Sequence, residues 1–160
     1  MDYFKNLNTV KRLFLKSFQS SFHYAIATVN EDGTPHVTPI GSLILRKDGS
    51  AYYLEEYANR LRRNIEINPN VCVLAVNSSR FFWLRSLFAG KFTSPPAVRL
   101  SGVCGDRRLA TEEERAKFYR RVRQAKFCKG HDILWGGMKY LREVKFHTID
   151  PIELEGRPSS

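Results

Sequence analysis

The stretch Phe22–Leu54, FHYAIATVNEDGTPHVTPIGSLILRKDGSAYYL, decides the fold of this chain. It contains two Asp-Gly pairs, Asp32-Gly33 and Asp48-Gly49, each between runs rich in β-branched, aromatic and aliphatic residues. An Asp-Gly pair in that setting is the strongest short-range signal for a β-hairpin, because tight hairpin turns require residues that tolerate a positive φ. The stretch therefore predicts a meander of strands over residues 22–29, 34–41, 42–46 and 51–54.

A short helix and a further strand are predicted after the meander. The segment Tyr57–Asn68, YANRLRRNIEIN, places Leu61 and Ile65 four residues apart, which is the spacing of one helix face. It ends before Pro69, and the residue that precedes a proline is disfavoured in helical conformation. The apolar run over 71–76 then predicts a buried strand.

Three arginines, Arg60, Arg62 and Arg63, lie near the start of this predicted helix. Cations conflict with a helix N-terminus, because the helix dipole and the unpaired N–H groups there favour negative charge. A bound phosphate would remove that conflict, since it accepts bonds from the free N–H groups and from guanidinium groups together. The alternative is a solvated helix that turns Leu61 and Ile65 to the core and its arginines to water.

The ordered set of segments resembles the pyridoxamine 5′-phosphate oxidase-like, FMN-binding split-barrel family. The resemblance rests on Ala25–Gly41, on the hairpin that follows, on the basic residues before Asn64, and on Asn68–Val71. It covers residues 22–77 closely and the remainder loosely. It implies a mainly β fold, a six-stranded antiparallel split barrel of the FMN-binding type with flanking helices, in one domain over residues 1–160.

The resemblance also implies a two-part site for FMN. Backbone groups of a strand are expected to bond the pyrimidine edge of the flavin, and the start of the helix is expected to hold the ribityl phosphate; the set is Thr38, Pro39, Ile40, Gly41, Ser42, Tyr57, Asn59, Arg60, Arg62 and Arg63. Pro39 withholds a ladder donor and Gly41 allows close backbone approach, features that also suit an ordinary strand edge or bulge.

Four residues either depart from the family pattern or are expected to act without contacting the ligand. Asn64 matches an asparagine that we expect to order the helix rather than to contact the ligand. Leu61 stands where family members often carry a lysine. Glu55 and Glu56 lie near the start of the segment, where two carboxylates would repel a phosphate unless they point away from it.

Composition limits the remaining possibilities. A chain of 160 residues with 42% hydrophobic residues suits a single domain with its own core. It has no apolar run near the 18 to 20 residues of a membrane span, and its first residues lack a signal-peptide pattern. We therefore expect a cytoplasmic protein with no membrane partner.

Metal and disulfide sites are not predicted. Cys72, Cys104 and Cys128 are odd in number, and they include no Cys-x-x-Cys pair. The four histidines, His23, His36, His131 and His147, show no ligand spacing, so only long-range convergence could build a metal site.

The formal charge of +10 suggests an anionic partner. Residues 115–129 contain seven basic residues and no acidic one, which is compatible with a nucleic-acid-binding helix. We favour an amphipathic helix that begins with a capping box over Thr111–Glu114 and buries Phe118 and Val122. No zinc-finger, basic-zipper or RNA-recognition motif accompanies the charge, yet the nucleic-acid alternative stays open.

The segment 78–96 is aromatic and the least similar to the family. It contains Phe81, Phe82, Trp83, Leu84, Leu87, Phe88 and Phe92. Such a segment must cover its rings, so we expect it in the interface of a homodimer, close to the flavin of the neighbouring subunit. An internal cover over an open barrel end is the alternative.

The function expected from these features is that of an FMN-dependent oxidoreductase acting on an unidentified small substrate. No nucleophile elbow, phosphate loop or dinucleotide fingerprint occurs in the sequence, so the reaction class comes from the cofactor that the resemblance implies. True pyridoxamine-phosphate oxidases end in an arginine- and tryptophan-rich signature that Val144–Ser160 does not match. A split barrel that binds a deazaflavin or haem in the same groove is the alternative within the fold.

Overall fold

One antiparallel sheet with flanking helices makes up the computed structural model, which describes residues 7–56, 58–90, 92, 94–122 and 137–152. Within these residues the elements in chain order are α1 (Leu7–Ser21), β1 (Tyr24–Val29), β2 (Pro35–Ile40), β3 (Ile44–Leu45), β4 (Ala51–Leu54), α2 (Asn59–Ile67), β5 (Asn70–Val76), α3 (Arg80–Ala89), β6 (Ala97–Leu109), α4 (Glu112–Val122) and β7 (Tyr140–Ile152). No helix in these ranges is long and apolar enough to cross a membrane.

The sheet is curled into a split barrel. Its strand order is β2-β1-β5-β6-β7-β4-β3, so the two edge strands are β2 and β3. Only Gly41–Leu43 connect these opposite edges. The Cα atoms of the flanking residues, Ile40 and Ile44, are four steps apart along the chain. At about 3.5 Å per step they can be separated by roughly 14 Å at most. A flat seven-stranded sheet would be about twice as wide, at 4.8 Å per strand, so the sheet must roll until its edges meet.

The predicted fold class is confirmed, with one difference in the number of strands. We expected six strands, and the sheet has seven because the two-residue strand β3 pairs with β4 through Ile44↔Tyr52 and Leu45↔Ala51. Both Asp-Gly hairpins are present: Gly33 and Gly49 have φ values of 82° and 88°, which a residue without a Cβ adopts at no steric cost.

Helix α1 packs against β1, β5 and β6. Val10, Leu13, Phe14 and Phe18 are buried on one face. The Tyr24 hydroxyl, from the first residue of β1, donates to the Phe14 carbonyl over 2.9 Å. Arg121 of α4 donates to the same hydroxyl, so the polar tip of this buried ring is satisfied.

Helix α2 packs on β1 through Leu61 and Ile65, the two residues with helical spacing. Asn64 is buried between them, and its amide donates to Thr28 Oγ1 over 3.1 Å and to Asn30 Oδ1 over 3.0 Å. Because both acceptors belong to β1 and its turn, this asparagine fixes the helix against the first hairpin. The expectation that Asn64 orders the helix is confirmed.

Helix α4 begins with the predicted capping box. The Thr111 N–H donates to Glu114 Oε2 over 3.0 Å, and the Glu114 N–H donates to Thr111 Oγ1 over 3.2 Å. Arg108 and Arg46 also bond the Glu114 carboxylate, at 2.8 and 2.9 Å. Phe118 and Val122 are buried as expected. The rest of the basic cluster, Arg123–Lys129, lies outside the described residues, as does Cys128.

The long strands β6 and β7 bend where their register shifts. One shift falls between Ser101 and Gly102. A Cβ at Gly102 would lie 2.5 Å from the Lys145 carbonyl oxygen and 2.9 Å from the Phe146 Cα. These neighbours are backbone atoms that cannot move aside cheaply, so this position requires glycine.

We expect Gly102→Ala to lower the free energy of unfolding by about 1 to 3 kcal/mol, the usual cost of overpacking. Chemical denaturation measures it. Gly105→Ala is the matched control in the same strand, because the nearest atom to a Cβ there is 3.9 Å away. Equal effects of the two substitutions would contradict the close approach at Gly102.

A second prediction concerns acid stability. Bonds from Arg108, more than any other group, lower the pKa of Glu114 from 4.5 to about 2. A depressed pKa stabilises the fold above the pKa of the unfolded chain, and the gain disappears as the pH falls through the folded-state pKa. Glu114→Gln should therefore cost about 2 kcal/mol at neutral pH, and the difference from wild type should shrink between about pH 4.5 and pH 2.

The control is Glu113→Gln, on the same helical turn. Its carboxylate is exposed and pairs with Lys117 at i,i+4. Surface pairs of this kind contribute little, so this variant should unfold like the wild type at every pH. A pH-independent loss in Glu114→Gln would mean that its packing, and not its charge, stabilises α4.

Candidate functional site

The crossing from β2 to β3 and the start of α2 meet at the split of the barrel. A cavity of about 140 Å³ lies there, between the crossing from β2 to β3, the end of β4 and the start of α2. Its lining residues are Pro39, Ile40, Gly41, Ser42, Tyr53, Leu54, Glu55, Glu56, Ala58, Leu61 and Met138. Four of the five predicted strand residues are among them.

Ser42 holds the split in place. Its hydroxyl donates to the Leu54 carbonyl over 2.9 Å and accepts the Leu54 N–H over 3.1 Å. Both groups of Leu54 are buried at the end of β4, so these two bonds join the crossing segment to the strand opposite it. The Ser42 side chain is thereby occupied, and only its backbone is available to a ligand.

Strand β2 offers unpaired backbone groups to the split, because it is an edge strand. It pairs with β1 from Val29↔Pro35 to Tyr24↔Ile40, and no other described strand pairs with its second side. Alternate N–H and C=O groups of such a strand have no ladder partner. Pro39 is exposed and has no N–H, whereas Thr38 is half-buried and its Oγ1 shares a hydrogen bond with His36 Nε2 at 3.0 Å.

The carboxylate of Glu55 is neutralised within the protein. Arg142 donates Nε to Oε1 over 3.0 Å and Nη2 to Oε2 over 3.1 Å, a bidentate pair in which both side chains are nearly inaccessible to solvent. Arg107 Nε lies 3.3 Å from Oε2, and the Tyr53 hydroxyl donates to Oε1 over 2.8 Å. The neighbouring Glu56 accepts the Lys139 N–H over 3.2 Å. Both carboxylate oxygens of Glu55 are therefore bonded within the protein, and its negative charge is compensated.

Two titratable groups at the cavity, Tyr53 in its wall and Cys104 near Tyr53, remain protonated at neutral pH. Burial raises the pKa of the Cys104 thiol to about 12, and burial beside Glu55 raises the pKa of Tyr53. A thiol in this state is a poor nucleophile, since thiolate is the reactive form. These groups act as parts of the core.

The predicted arginines lie on the outer face of α2 and do not line the cavity. Arg60 and Arg63 are exposed and Arg62 is half-buried, while Leu61 takes the position facing the cavity. Within the described part of the chain, none of the three arginines forms an ion pair. Arg60 is near enough to Asp32, in the first hairpin turn, to contribute slightly to the lowered pKa of that carboxyl, which is set mainly by a hydrogen bond from Thr34.

Two further residues, Asn59 and Tyr57, were predicted to bind the cofactor. Asn59, the first residue of α2, is exposed, and Tyr57 lies outside the described residues. Sequence reasoning missed Met138 in the cavity wall, and it missed Arg142 and Arg107 behind Glu55. Nothing in the local sequence marks these three residues, because Arg107 and Arg142 reach the site from β6 and β7 through strand pairing and Met138 lies just before β7.

No cluster of three or more histidine, cysteine, aspartate or glutamate side chains that could hold a metal occurs among residues 7–56, 58–90, 92, 94–122 and 137–152. The arrangement at the split can instead supply backbone hydrogen bonds from an edge strand, free N–H groups at the start of α2, and unpaired arginines beside them. These are the elements of a site for a planar group that carries a phosphate.

The fold is shared with solved structures of low sequence identity. An FMN-binding protein from Syntrophomonas wolfei subsp. wolfei is 12% identical, with 95% of each chain covered and a TM-score of 0.61. The heme storage protein HutZ from Vibrio cholerae is 14% identical, with 90% of this chain and 92% of that chain covered and a TM-score of 0.55. An F420 reductase is 14% identical, with 81% and 90% covered and a TM-score of 0.50.

The sequence itself identifies the family. No curated protein matches it significantly. The family model described as pyridoxamine 5′-phosphate oxidase, however, matches residues 14–153, which include every strand of the barrel. This match agrees with the resemblance over residues 22–77 and extends it through β6 and β7. The chain therefore belongs to the pyridoxamine 5′-phosphate oxidase family.

Proposed function

We propose that this protein binds FMN at the split of the barrel and acts as an oxidoreductase on a small substrate other than pyridoxamine phosphate. The observation that carries the proposal is the convergence of Pro39–Ser42 with the start of α2 on one cavity. These segments are distant in sequence, and the family resemblance assigns one to the flavin ring and the other to the phosphate. Because the two segments lie side by side, one FMN molecule could contact the first with its ring and the second with its phosphate.

The start of α2 supports binding of the phosphate. Ala58 caps the helix without a side-chain hydrogen bond, and the first intrahelical bond is donated by the Arg62 N–H. The N–H groups of Asn59, Arg60 and Leu61 therefore point out of the helix end, where an anion is stabilised. Arg60, Arg62 and Arg63 supply guanidinium donors, and the neutralised Glu55 removes one source of repulsion.

The edge of β2 supports binding of the flavin ring. The pyrimidine edge of a flavin carries donors and acceptors that an unpaired strand backbone can match, and Gly41 permits close approach. Bound FMN supplies hydride or electron transfer. The residues of this chain bind and orient it: the backbone of Thr38–Ser42 at the ring, and α2 at the phosphate.

The size of the cavity favours a homodimer. A volume of about 140 Å³ is smaller than the roughly 300 Å³ or more of a typical site for a cofactor-sized ligand, so another surface must complete the wall. The outer face of β2, β1 and β5 offers one for a second copy of the chain. Register places Val37, Ala27 and Cys72 in one row and Ala25 and Leu74 in the next, all on the side opposite the core.

The substrate is proposed to differ from pyridoxamine phosphate because of the C-terminal sequence. Val144–Ser160 lacks the arginine- and tryptophan-rich signature that grips the substrate phosphate in the enzymes that give the family its name. In the described part of this segment, Val144, Phe146 and Ile149 are buried in the core. These side chains serve packing and do not bind a second phosphate.

We predict that the purified protein carries flavin absorbance, or gains it on dialysis against FMN, and that FMN binds more tightly than riboflavin. Riboflavin lacks the phosphate and therefore loses the contacts with α2. Calorimetric titration with both ligands measures the difference. Equal affinities would refute the phosphate site, while a haem or deazaflavin spectrum would assign the groove to that cofactor.

A colourless protein that stays colourless would direct attention to the basic surface instead. Retention on nucleic acid with a steep dependence on salt would then support the nucleic-acid alternative, because release of counterions from phosphates produces that dependence. Flavin binding, together with retention on nucleic acid that does not change with salt, would exclude the nucleic-acid alternative.

We also predict that Arg60→Ala and Arg62→Ala each weaken FMN binding by about 1 to 3 kcal/mol, the scale of hydrogen bonds to charged groups, with little effect on folding. Riboflavin affinity should not change in either variant. Arg120→Ala, an exposed arginine on α4, is the control and should leave both affinities unchanged. Wild-type FMN affinity in both α2 variants would mean that the helix points its arginines away from the ligand.

A further inference from the structure

Helix α3 is almost uncovered, although it is the most aromatic segment of the chain. Ser86 is its only buried residue. Four large apolar side chains project into solvent with exposed fractions of 54 to 84%: Phe81, Leu84, Leu87 and Phe88. We call these four residues, with Arg80 and Arg85 on the same exposed side, the α3 surface. These four side chains do not act as an internal cover over a barrel end, the alternative considered for this segment, since they face solvent within the described chain.

On its other side the helix packs against residues of its own segment and bonds to the backbone just after β5. Phe82, Trp83 and Phe92 contact one another with ring centroids 5.5 to 6.2 Å apart. The Trp83 indole N–H donates to the Asn77 carbonyl over 2.7 Å. Gly90 ends the helix in the left-handed conformation, with a φ of 64°. The α3 surface is thus held outward by aromatic packing beneath it.

A groove of about 730 Å³ separates α3 from the second half of α1. Three cations, Lys16, Arg80 and Arg85, stand along it with Gln19, several serines, Phe81 and Phe82. None of its lining residues is acidic, and in the described part of the chain none of the three cations forms an ion pair. The groove therefore combines uncompensated positive charge with an apolar wall.

The sequence around this surface contains no acidic residue. Residues 3–30 and 67–105, which include α1 and α3, lack aspartate and glutamate and contain eight lysines and arginines. A contact between the α3 surfaces of two copies would therefore bring like charges together, a repulsion that is absent with an anionic partner. Charge complementarity favours an anionic occupant that also accepts protruding apolar side chains.

We propose that the α3 surface and its groove bind the surface of a membrane that contains anionic lipids. Phe81, Leu84, Leu87 and Phe88 enter the boundary between headgroups and acyl chains, where apolar side chains of an interfacial helix are buried. Lys16, Arg80 and Arg85 contact the lipid phosphates from the groove. A helix of ten residues is about 15 Å long and lies on a bilayer without crossing it.

This contact is peripheral and is independent of the proposed FMN site. The sequence-based expectation of no membrane partner rested on the absence of a spanning segment, which peripheral binding does not need. Flavin binding can fail while vesicle binding succeeds, and the reverse, so the two proposals stand or fall separately.

Vesicle flotation of the full chain tests the proposal. We expect the protein to float with vesicles in which phosphatidylglycerol replaces part of the phosphatidylcholine, to remain unbound with pure phosphatidylcholine, and to lose binding as salt rises. The double variant Phe81→Ser/Phe88→Ser should lower the vesicle partition coefficient by on the order of tenfold or more. Arg80→Gln/Arg85→Gln should lower it by a similar factor.

Matched controls lie elsewhere on the surface. Leu109 is 65% exposed at the end of β6, and Lys145 is exposed on β7, so Leu109→Ser and Lys145→Gln should float like the wild type. No binding to anionic vesicles, or equal binding of the α3 variants and the wild type, would overturn the proposal. So would a change from dimer to monomer in Phe81→Ser/Phe88→Ser without any vesicle binding, because the occupant would then be a second copy.

Discussion

The three-residue crossing Gly41–Leu43 is the constraint on which the rest of the structure depends. It joins the two edge strands of a seven-stranded sheet, and a connection so short forces the sheet to curl until β2 and β3 lie beside each other. The edges do not pair, so the barrel keeps a split with unpaired backbone groups along it. Ser42 secures this arrangement through its two bonds to Leu54. A ligand site at the split follows from the way the barrel closes.

Buried charge determines what this split can bind. Glu55 lies in the wall of the cavity, where an unpaired carboxylate would be costly and would repel anions. Arg142 and Arg107, from the two long strands, neutralise it together with the Tyr53 hydroxyl. The acidic residues that depart from the family pattern are thus compatible with a phosphate nearby, because one is compensated inside the protein and the other bonds to the Lys139 backbone.

The positively charged side chains fall into two groups, one in ion pairs and one without them. Arg46 and Arg108 each form ion pairs with both Glu114 and Glu143, and these pairs hold α4 to the barrel. On α2 and α3 the arginines form no ion pairs within the described residues. Since paired cations stabilise the fold and unpaired cations attract anions, the second group is where partners are expected. A phosphate-bearing cofactor and an anionic surface would use different members of it.

The sequence by itself determined the fold class, the hairpins at Gly33 and Gly49, the helix faces of Leu61, Ile65 and Phe118, and the capping box of α4. These features depend on local conformational preference and on periodicity, which a single segment carries. Only the tertiary structure decided that Arg142 neutralises Glu55, that Met138 enters the cavity wall, and that α3 turns its phenylalanines outward. Those outcomes depend on strand pairing between residues nearly a hundred positions apart and on which surfaces remain uncovered after packing, and no local pattern encodes either.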